Sequence, residues 1–303
     1  MDKVHTILVI VNRGYNIWGE FLQKNRLSTN SEPIGTLAID FSRTSFMEPH
    51  HLVSLACLIE EYHLAGITIK FNPSYNTKFN KYLDDIKFCE YWNPGFNRNN
   101  FTRGKISTTL CLWKVSEEMI DSYANQAQQY FEQNYFSGEK DLVALSISLK
   151  EVFNNIFNHA DSPVDGYVLT QYYPQRGNGE IVTAVCDFGL GIPTKINNYL
   201  AANGYEKLKE DKALEQAFTL HFSSKSTPQN KGLGLPNLMS NVESLRGDLH
   251  VYSNHACLNH ACSKGSEFYV TNKSFSGTLI NVNLKTQYLP QSEEIIDDAE
   301  FIF

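Results

Sequence analysis

The first third of the chain alternates between two spacings of apolar residues. Runs dominated by β-branched and large apolar residues have the composition of buried strands. Between Glu48 and Leu64, in contrast, apolar residues recur every three or four positions, which predicts a helix. The predicted strands cover 5–12, 35–42 and 67–72, and the predicted helices cover 48–64 and 75–87. This order predicts a small α/β domain over residues 1–105 that ends in the irregular segment 92–105.

A second domain is predicted over 106–290, after this irregular segment. It begins with a strand at 108–115 and a polar helix at 116–134, followed by a turn near 137–141. The predicted fold class is therefore α+β, with a small α/β domain followed by a larger one. Residues 291–303 mix acidic and apolar side chains, and we predict a separate acidic tail there.

The next predicted helix carries a regular row of polar residues. At about 100° per residue, Glu151, Asn155 and His159 form a stripe that drifts by about 40° per step beside an apolar face. The helix would bury one side and present a carboxylate, an amide and an imidazole along its flank. The alternative is an ordinary solvated helix face.

An apolar strand then ends in an Asp-x-Gly-x-Gly motif. A carboxylate in the position of Asp187 can accept a hydrogen bond from an exocyclic amine. Gly189 and Gly191 let the backbone bend and approach a ligand closely. The alternative is a tight turn after a strand.

Two further glycine motifs follow. Gly232 and Gly234 precede an amphipathic helix, and the free N–H groups at such a helix start are suited to bind phosphates. The alternative is a loop in which glycine is simply permitted. A Gly-Thr step at Gly277 and Thr278 begins the last predicted strand, 276–284.

In this order, the four motifs resemble the Bergerat ATP-binding fold shared by gyrase, mismatch-repair ATPases, histidine kinases and anti-sigma-factor serine kinases. The resemblance covers about residues 115–287. It implies a Bergerat-fold α/β sandwich that binds ATP and Mg²⁺. In the gyrase-like ATPases and anti-sigma kinases, the acid four residues before the metal-binding Asn polarises the attacking group. The resemblance therefore implies that Glu151 is a general base.

The resemblance also implies which residues hold the nucleotide. Asn155 would coordinate Mg²⁺ through its side-chain oxygen, a hard ligand suited to that ion. Asp187 would bind the adenine amine, and Thr278 would support the adenine end of the pocket. The implied nucleotide-binding set is Asn155, His159, Asp187, Gly189, Gly191, Lys231, Gly232, Gly234 and Thr278.

Residues 192–231 separate the two glycine motifs and are predicted to form the ATP lid. The segment contains a predicted helix at 211–222 and a polar stretch after it. We expect this lid to be mobile until nucleotide orders it. Lys225 and Lys231 are candidate contacts to the terminal phosphate, and the alternative is that both are solvated lysines.

The first predicted domain carries a second family pattern. Its second strand ends in Asp40 and is followed by Phe46, a helix and a glycine-led strand. This order is similar to the STAS domain of anti-sigma-factor antagonists. Those antagonists carry a phosphorylatable Ser at the helix start, where this chain reads EPHH at 48–51. We therefore expect a docking or regulatory module, and an unrelated small α/β domain is the alternative.

Composition and net charge argue against some classes of partner and indicate a cellular compartment. A net charge of -7 argues against nucleic acid or an anionic membrane as the main partner. The apolar start is too short for a signal-peptide core, and no segment approaches the ~20 apolar residues of a membrane span. Six scattered cysteines do not form the dense framework of a secreted protein. We expect a cytoplasmic protein.

One cluster of zinc-capable residues lies late in the chain: His255, Cys257, His260 and Cys262. Four ligands from eight consecutive residues rarely surround one tetrahedral ion. The alternative is a hairpin loop between late strands.

Three functions fit these predictions. The first is a Mg-dependent serine/threonine protein kinase of the anti-sigma type, acting on a protein partner or substrate in partner-switching regulation. The second is a related ATPase, and the third is a non-catalytic, nucleotide-gated protein-binding module. Glu151 favours the enzymes, and the lack of a helix with a phosphoacceptor His before residue 141 weighs against a classical histidine kinase. The sequence leaves a homodimer open.

Overall fold

The computed structural model contains two β-sheets with helices packed between and outside them. It describes residues 3–12, 14–97, 108–115, 120–137, 139–159, 162–219 and 234–292. One sheet is parallel and three-stranded, in the order β1-β2-β3. The other is antiparallel and five-stranded, in the order β4-β5-β6-β8-β7.

The two sheets and their helices are formed by the following elements. The strands are β1 (Val4–Leu8), β2 (Thr36–Asp40), β3 (Thr68–Asn72), β4 (Trp113–Val115), β5 (Gly166–Tyr173), β6 (Glu180–Asp187), β7 (Asp248–Ala261) and β8 (Gly265–Lys285). The helices are α1 (Tyr15–Lys24), α2 (Pro49–Leu64), α3 (Thr77–Asp85), α4 (Ile120–Tyr135), α5 (Val143–His159), α6 (Ile192–Ala202), α7 (Glu210–Ala217) and α8 (Gly234–Ser244).

Helix α2 is buried on every side. Twelve consecutive residues, Pro49 to Glu60, have little or no contact with solvent. A helix that presents one face to water would show exposed residues at each turn, so α2 must be covered all round. Its N-terminus is closed by a capping box, in which Glu48 accepts from the backbone of His51 and the His51 ring accepts from the N–H of Glu48.

The five-stranded sheet is covered on both faces because its side chains alternate between two hydrophobic clusters. In β6, Val185 packs with helices α4, α5 and α8, whereas Ala184 and Cys186 pack with α2. In β5, Val168 and Tyr167 divide in the same way. Successive residues of a strand point to opposite faces, so both faces of these central strands contribute to a core.

The first 97 residues and the antiparallel sheet therefore share one core. Buried Glu60 on α2 joins them, since its carboxylate accepts from the Trp92 indole at 2.9 Å and from the Tyr167 hydroxyl at 2.8 Å. The proposed boundary near residue 105 lies outside the described residues. The division into domains at 1–105, 106–290 and 291–303 stays a prediction.

The structure confirms the predicted α+β class. Helix α2 and strand β3 lie within one residue of their predicted ends, and strand β2 ends two residues before its predicted end. Helix α1 and strand β5 were not predicted, and β8 begins eleven residues before the strand expected at 276–284. The STAS-like and Bergerat assignments remain resemblances of sequence.

None of the helices in the part of the chain that the structure describes has the length and apolar character that a bilayer crossing requires.

Candidate functional site

Helix α5 carries the predicted polar row on the outer side of the antiparallel sheet. Leu149, Val152 and Phe153 are buried in the cluster that faces the sheet, as the apolar stripe predicts. Positions 151, 155 and 159 belong to this helix. The side chains of Glu151, Asn155 and His159 lie outside the described part of the structure, so their roles stay predictions.

Asp187 is the last residue of β6, and its carboxylate is buried beside β8. It is 2% exposed, and its Oδ1 accepts the backbone N–H of Gly189 at 2.7 Å. Asp187 is paired in register with Thr278, whose backbone N–H also donates to the carboxylate. Burial raises the pKa of Asp187 from 3.8 to about 7, against the lowering effect of the two backbone donors.

Gly277 is required by the close approach of β8 to the end of β6. Its φ of +127° is rarely adopted by a residue with a side chain, and an added Cβ would lie 2.1 Å from the backbone oxygen of Asp187. The Gly-Thr step found in the sequence therefore has a steric reason. It lets the backbone of Thr278 reach the Asp187 carboxylate.

Ser253 on β7 connects the Asp-x-Gly-x-Gly motif to the Gly-Thr step. These two motifs are predicted to form the adenine end of the pocket and are called the adenine-end motifs. Its fully buried Oγ lies 2.9 Å from the carbonyl oxygen of Gly277 and 3.1 Å from the Thr278 hydroxyl. It also accepts the N–H of Ile192, the first residue of α6, at 2.8 Å. One hydroxyl thus holds the segment after Asp187 against the segment before Thr278.

Asn254 holds the second glycine of the Asp-x-Gly-x-Gly motif in place. Gly191 caps α6 with a φ of +79°, and an added Cβ would lie 2.4 Å from the Asn254 Oδ1. The Asn254 amide donates to the Leu190 carbonyl at 3.1 Å and to the Thr194 hydroxyl at 2.7 Å. The turn after Asp187 is therefore clamped to β7, and both Gly189 and Gly191 lie at this end of the sheet.

The predicted lid is folded over its first part. Helix α7 buries Leu214 in the same cluster as residues of α5 and α8, and Glu210 accepts the backbone N–H of His255 at 2.7 Å. Residues 192–219 are folded here, and the mobility of the segment 192–231 without nucleotide stays a prediction. Lys225, Lys231 and Gly232 lie outside the described residues, while Gly234 is the first residue of α8.

The zinc-capable residues lie on a strand and its turn, not in a loop. His255, Cys257 and His260 belong to β7, and exposed Cys262 follows it. Register pairing puts neighbouring residues of this strand on opposite faces, and Cys257 and Leu258 accordingly lie in different clusters. Among the described residues, no group of three His, Cys, Asp or Glu could hold a metal ion. The loop prediction was wrong because local composition does not show the long pairing with β8.

Three residues of this site were missed from the sequence: Ser253, Asn254 and Arg26. No motif marks any of them. Ser253 and Asn254 lie in a strand that mixes polar and apolar residues throughout, and the shift of register between β7 and β8 at this point is seen only in the structure. The Arg26 guanidinium lies 4.0 Å from the centroid of the Phe188 ring, but Arg26 is more than 150 residues away in sequence, so no local pattern identifies it.

Comparisons with known proteins add little to this geometry. No family model and no curated protein matches the chain. Among solved structures, the chain is similar to the histidine kinase domain from Erythrobacter litoralis EL346 blue-light activated histidine kinase. The identity is 12%, the match covers 78% of this chain and 86% of that chain, and the TM-score is 0.27. A likeness this weak carries no argument.

Proposed function

We propose that the chain binds ATP at the end of the antiparallel sheet where Asp187, Gly189, Gly191 and Thr278 meet. The observation that supports this most strongly is the buried Asp187 carboxylate, held by backbone N–H groups from two separate motifs. Both motifs belong to the ordered set that resembles Bergerat-fold ATPases. Their meeting at one carboxylate is what an adenine-binding site of that kind needs.

The chemistry of Asp187 fits an amine ligand. An ionised carboxylate has about four lone-pair sites, so two backbone donors leave capacity for another donor. Burying a charged group is costly unless it is hydrogen-bonded, and the raised pKa reflects this cost. An exocyclic amine that donates to Asp187 would offset part of that cost. Adenine carries such an amine, and Asp187 would therefore recognise the base.

The metal and phosphate end is proposed from sequence positions on α5 and in the glycine motif that leads into α8. Asn155 would hold Mg²⁺, and Lys231, Gly232 and Gly234 would contact the phosphates. Mg²⁺ would neutralise the charge of the phosphates. Four residues along a helix rise about 6 Å, so Glu151 would lie one turn from the metal ligand, where it could act as a general base.

The biological role that fits is a Mg-dependent serine/threonine protein kinase of the anti-sigma type, or a related ATPase, in partner-switching regulation. The first 97 residues would act as an STAS-like docking or regulatory module for a protein partner. The close packing of α2 on β5 and β6 also favours the alternative, a nucleotide-gated binding module without turnover. In that case nucleotide binding would act through the shared core.

Calorimetric titration with ATP, with and without Mg²⁺, tests the proposal. Wild-type protein should bind ATP, Asp187→Asn should weaken binding in both conditions, and Asn155→Ala should remove only the part that depends on Mg²⁺. Asp248→Asn is the matched control, because Asp248 pairs with Asn283, five residues from Thr278 along β8. It should bind ATP as the wild type does. Absence of binding by the wild type at millimolar ATP would refute the proposal.

A further inference from the structure

Arg26 is an almost buried cation that reaches the candidate site from the N-terminal part of the chain. It is 8% exposed. Glu61 on α2 holds it from one side, with contacts of 2.8 Å to Nη2 and of 2.9 and 3.0 Å to Nε. The same carboxylate accepts the N–H of Leu27 at 2.9 Å. The position of the guanidinium is therefore fixed from α2.

The other side of the Arg26 guanidinium contacts both adenine-end motifs. Its central carbon lies 4.0 Å from the centroid of the Phe188 ring, which follows Asp187 directly. Its Nη1 donates to the carbonyl of Ser276 at 3.4 Å, two residues before Thr278. Gly189 and Thr278 supply the two backbone donors to Asp187. Arg26 thus touches the residue directly before one donor and the residue two positions before the other.

Helix α1 binds β8 at the same place. Gln23 accepts the backbone N–H of Ser276 at 3.5 Å, and Glu20 pairs with Lys273 at 2.8 Å. Tyr252 lies against Gly19, where an added Cβ would come within 2.5 Å of its ring. The N-terminal part is therefore seated on the strand that carries Thr278, and Arg26 is at the end of that contact nearest Asp187.

A planar guanidinium suits these three contacts better than an ammonium group would. It can stack on an aromatic ring and at the same time donate in its plane to a carboxylate and a carbonyl. Lysine keeps the charge but presents no flat face. The arrangement therefore depends on shape as well as on charge.

We infer that Arg26 is a positioning residue of the nucleotide site, which fixes the loop at Phe188 and the turn at Ser276 so that both backbone N–H groups reach Asp187. One consequence of this inference rests on the proposed function: the N-terminal part would set the affinity for nucleotide. Loosening the two donors should destabilise the ionised carboxylate and raise its titration midpoint.

The test compares four variants of the full chain: Arg26→Met, Arg26→Lys, Glu61→Gln and Arg176→Met. Arg176 is the matched control, since it also pairs with a glutamate, Glu180 at 2.9 Å, and lies over an aromatic ring, Tyr173 at 5.5 Å. The first measurement is the titration of the Asp187 carboxyl carbon by NMR, assigned with Asp187→Asn. The second is ATP affinity by calorimetry.

Arg26→Met should raise the titration midpoint of Asp187 by about half a pH unit or more. Arg26→Lys and Glu61→Gln should give midpoints between those of the wild type and Arg26→Met, and Arg176→Met should keep the wild-type midpoint. ATP affinity should fall on the order of tenfold in Arg26→Met and not in Arg176→Met. If Arg26→Met does not fold, Arg26→Lys and Glu61→Gln carry the comparison. An Arg26→Lys midpoint equal to that of the wild type would overturn the inference, because charge alone would then suffice.

The two measurements separate this inference from the proposed function. If the wild type binds no ATP, the proposed function falls, and the carboxyl titration still decides whether Arg26 positions Asp187. If the wild type binds ATP and the Asp187 midpoint is the same in every variant, the function stands and the role of Arg26 is refuted.

Discussion

The thiol of Cys57 on α2 donates to the backbone carbonyl of Cys186, with 3.2 Å between sulfur and oxygen, one residue before Asp187 on β6. Both cysteines are fully buried. The contact joins a helix of the N-terminal part to the central strand of the antiparallel sheet, inside a hydrophobic cluster that contains residues from both. Neither part can lose its structure without exposing apolar surface of the other.

We predict that the two parts unfold together. Trp18 on α1 and Trp113 on β4 are buried in different clusters and can report separately. Trp92→Phe/Trp113→Phe leaves Trp18 as the probe, and Trp18→Phe/Trp92→Phe leaves Trp113. Urea unfolding of each variant would be followed by both fluorescence and circular dichroism. If the two parts unfold together, the fluorescence midpoint of each variant should coincide with its circular-dichroism midpoint. Clearly separate fluorescence and circular-dichroism midpoints in either variant would show two independent domains.

The second prediction concerns the pH dependence introduced by Asp187. Its folded pKa of about 7 lies above its ordinary value of 3.8, so the folded state holds a proton that the unfolded state has released. The free energy of unfolding should therefore fall as pH rises from 4 to 7, by roughly 4 kcal/mol at most, and stay level above 7. Asp187→Asn should remove this slope.

Denaturant titrations across pH 4 to 8 check this, with Asp248→Asn as the control that should keep the wild-type slope. The stability of Asp187→Asn relative to wild type should grow with pH. A constant difference between the two proteins would contradict the assignment of the proton to Asp187.

The third prediction has the opposite sign and concerns His51. Burial lowers the pKa of His51 from 6.5 to about 4. Its Nδ1 accepts from the N–H of Glu48 at 3.2 Å and its Nε2 lies 3.0 Å from the carbonyl of Asn12, so the neutral ring carries its proton on Nε2. Stability should be complete above pH 6.5 and fall as pH drops to 4, by roughly 3 kcal/mol.

His51→Gln can keep both hydrogen bonds but does not titrate, so it should lose less stability between pH 6.5 and 4 than the wild type does. His63→Gln, at the partly exposed end of α2, is the control. Unfolding measured at several pH values would test both. Parallel curves for His51→Gln and wild type would rule His51 out as the group responsible.

The fourth prediction separates steric overlap from backbone strain at glycine. Gly265 has a φ of +78° with no atom within 4 Å of an added Cβ, whereas Gly277 has a φ of +127° and an overlap at 2.1 Å. Gly265→Ala should cost about 1 kcal/mol from strain alone. Gly277→Ala should cost more than about 2 kcal/mol, because β8 must move away from Asp187. Equal losses in thermal unfolding would mean that the overlap is relieved without cost.

The fifth prediction tests catalysis. Glu151→Gln keeps the size of the side chain but cannot take a proton, so ATP binding should persist while turnover or phosphotransfer falls by roughly 10²- to 10⁴-fold. Glu243→Gln on the exposed side of α8 is the control and should leave the rate unchanged. A wild-type rate in Glu151→Gln would eliminate the base role. A wild type that binds ATP without turnover would favour the nucleotide-gated module.

The elements that could be predicted from the sequence are those in which apolar residues follow the pattern of a helix or a strand. Helix α2 is predictable because Leu52, Leu55 and Leu58 recur at helical spacing and Pro49 stands at its start. Strand β6 is predictable because apolar residues dominate the stretch that runs into Asp187. Asp187 could be named in advance because it opens the Asp-x-Gly-x-Gly motif, and Thr278 because it directly follows a glycine.

The remaining features depend on pairs of residues that are far apart in the sequence. The extension of β8 back to Gly265 is stabilised by pairing with β7, and nothing in its own composition indicates where it begins. Arg26 and Ser253 act through contacts with Phe188 and Gly277, which only the folded chain brings together. The raised pKa of Asp187 likewise follows from burial, which composition does not show.

The hydroxyl of Ser253 has a single proton, and this fixes the direction of the bonds around it. The Gly277 carbonyl can only accept, so the Ser253 proton lies on that 2.9 Å contact. The N–H of Ile192 donates to Ser253, and the Thr278 hydroxyl must then donate to it as well. Thr278 therefore has no proton to offer elsewhere and presents lone pairs only. Any group that bonds to its oxygen has to bring its own hydrogen, which an amine does and a carbonyl does not.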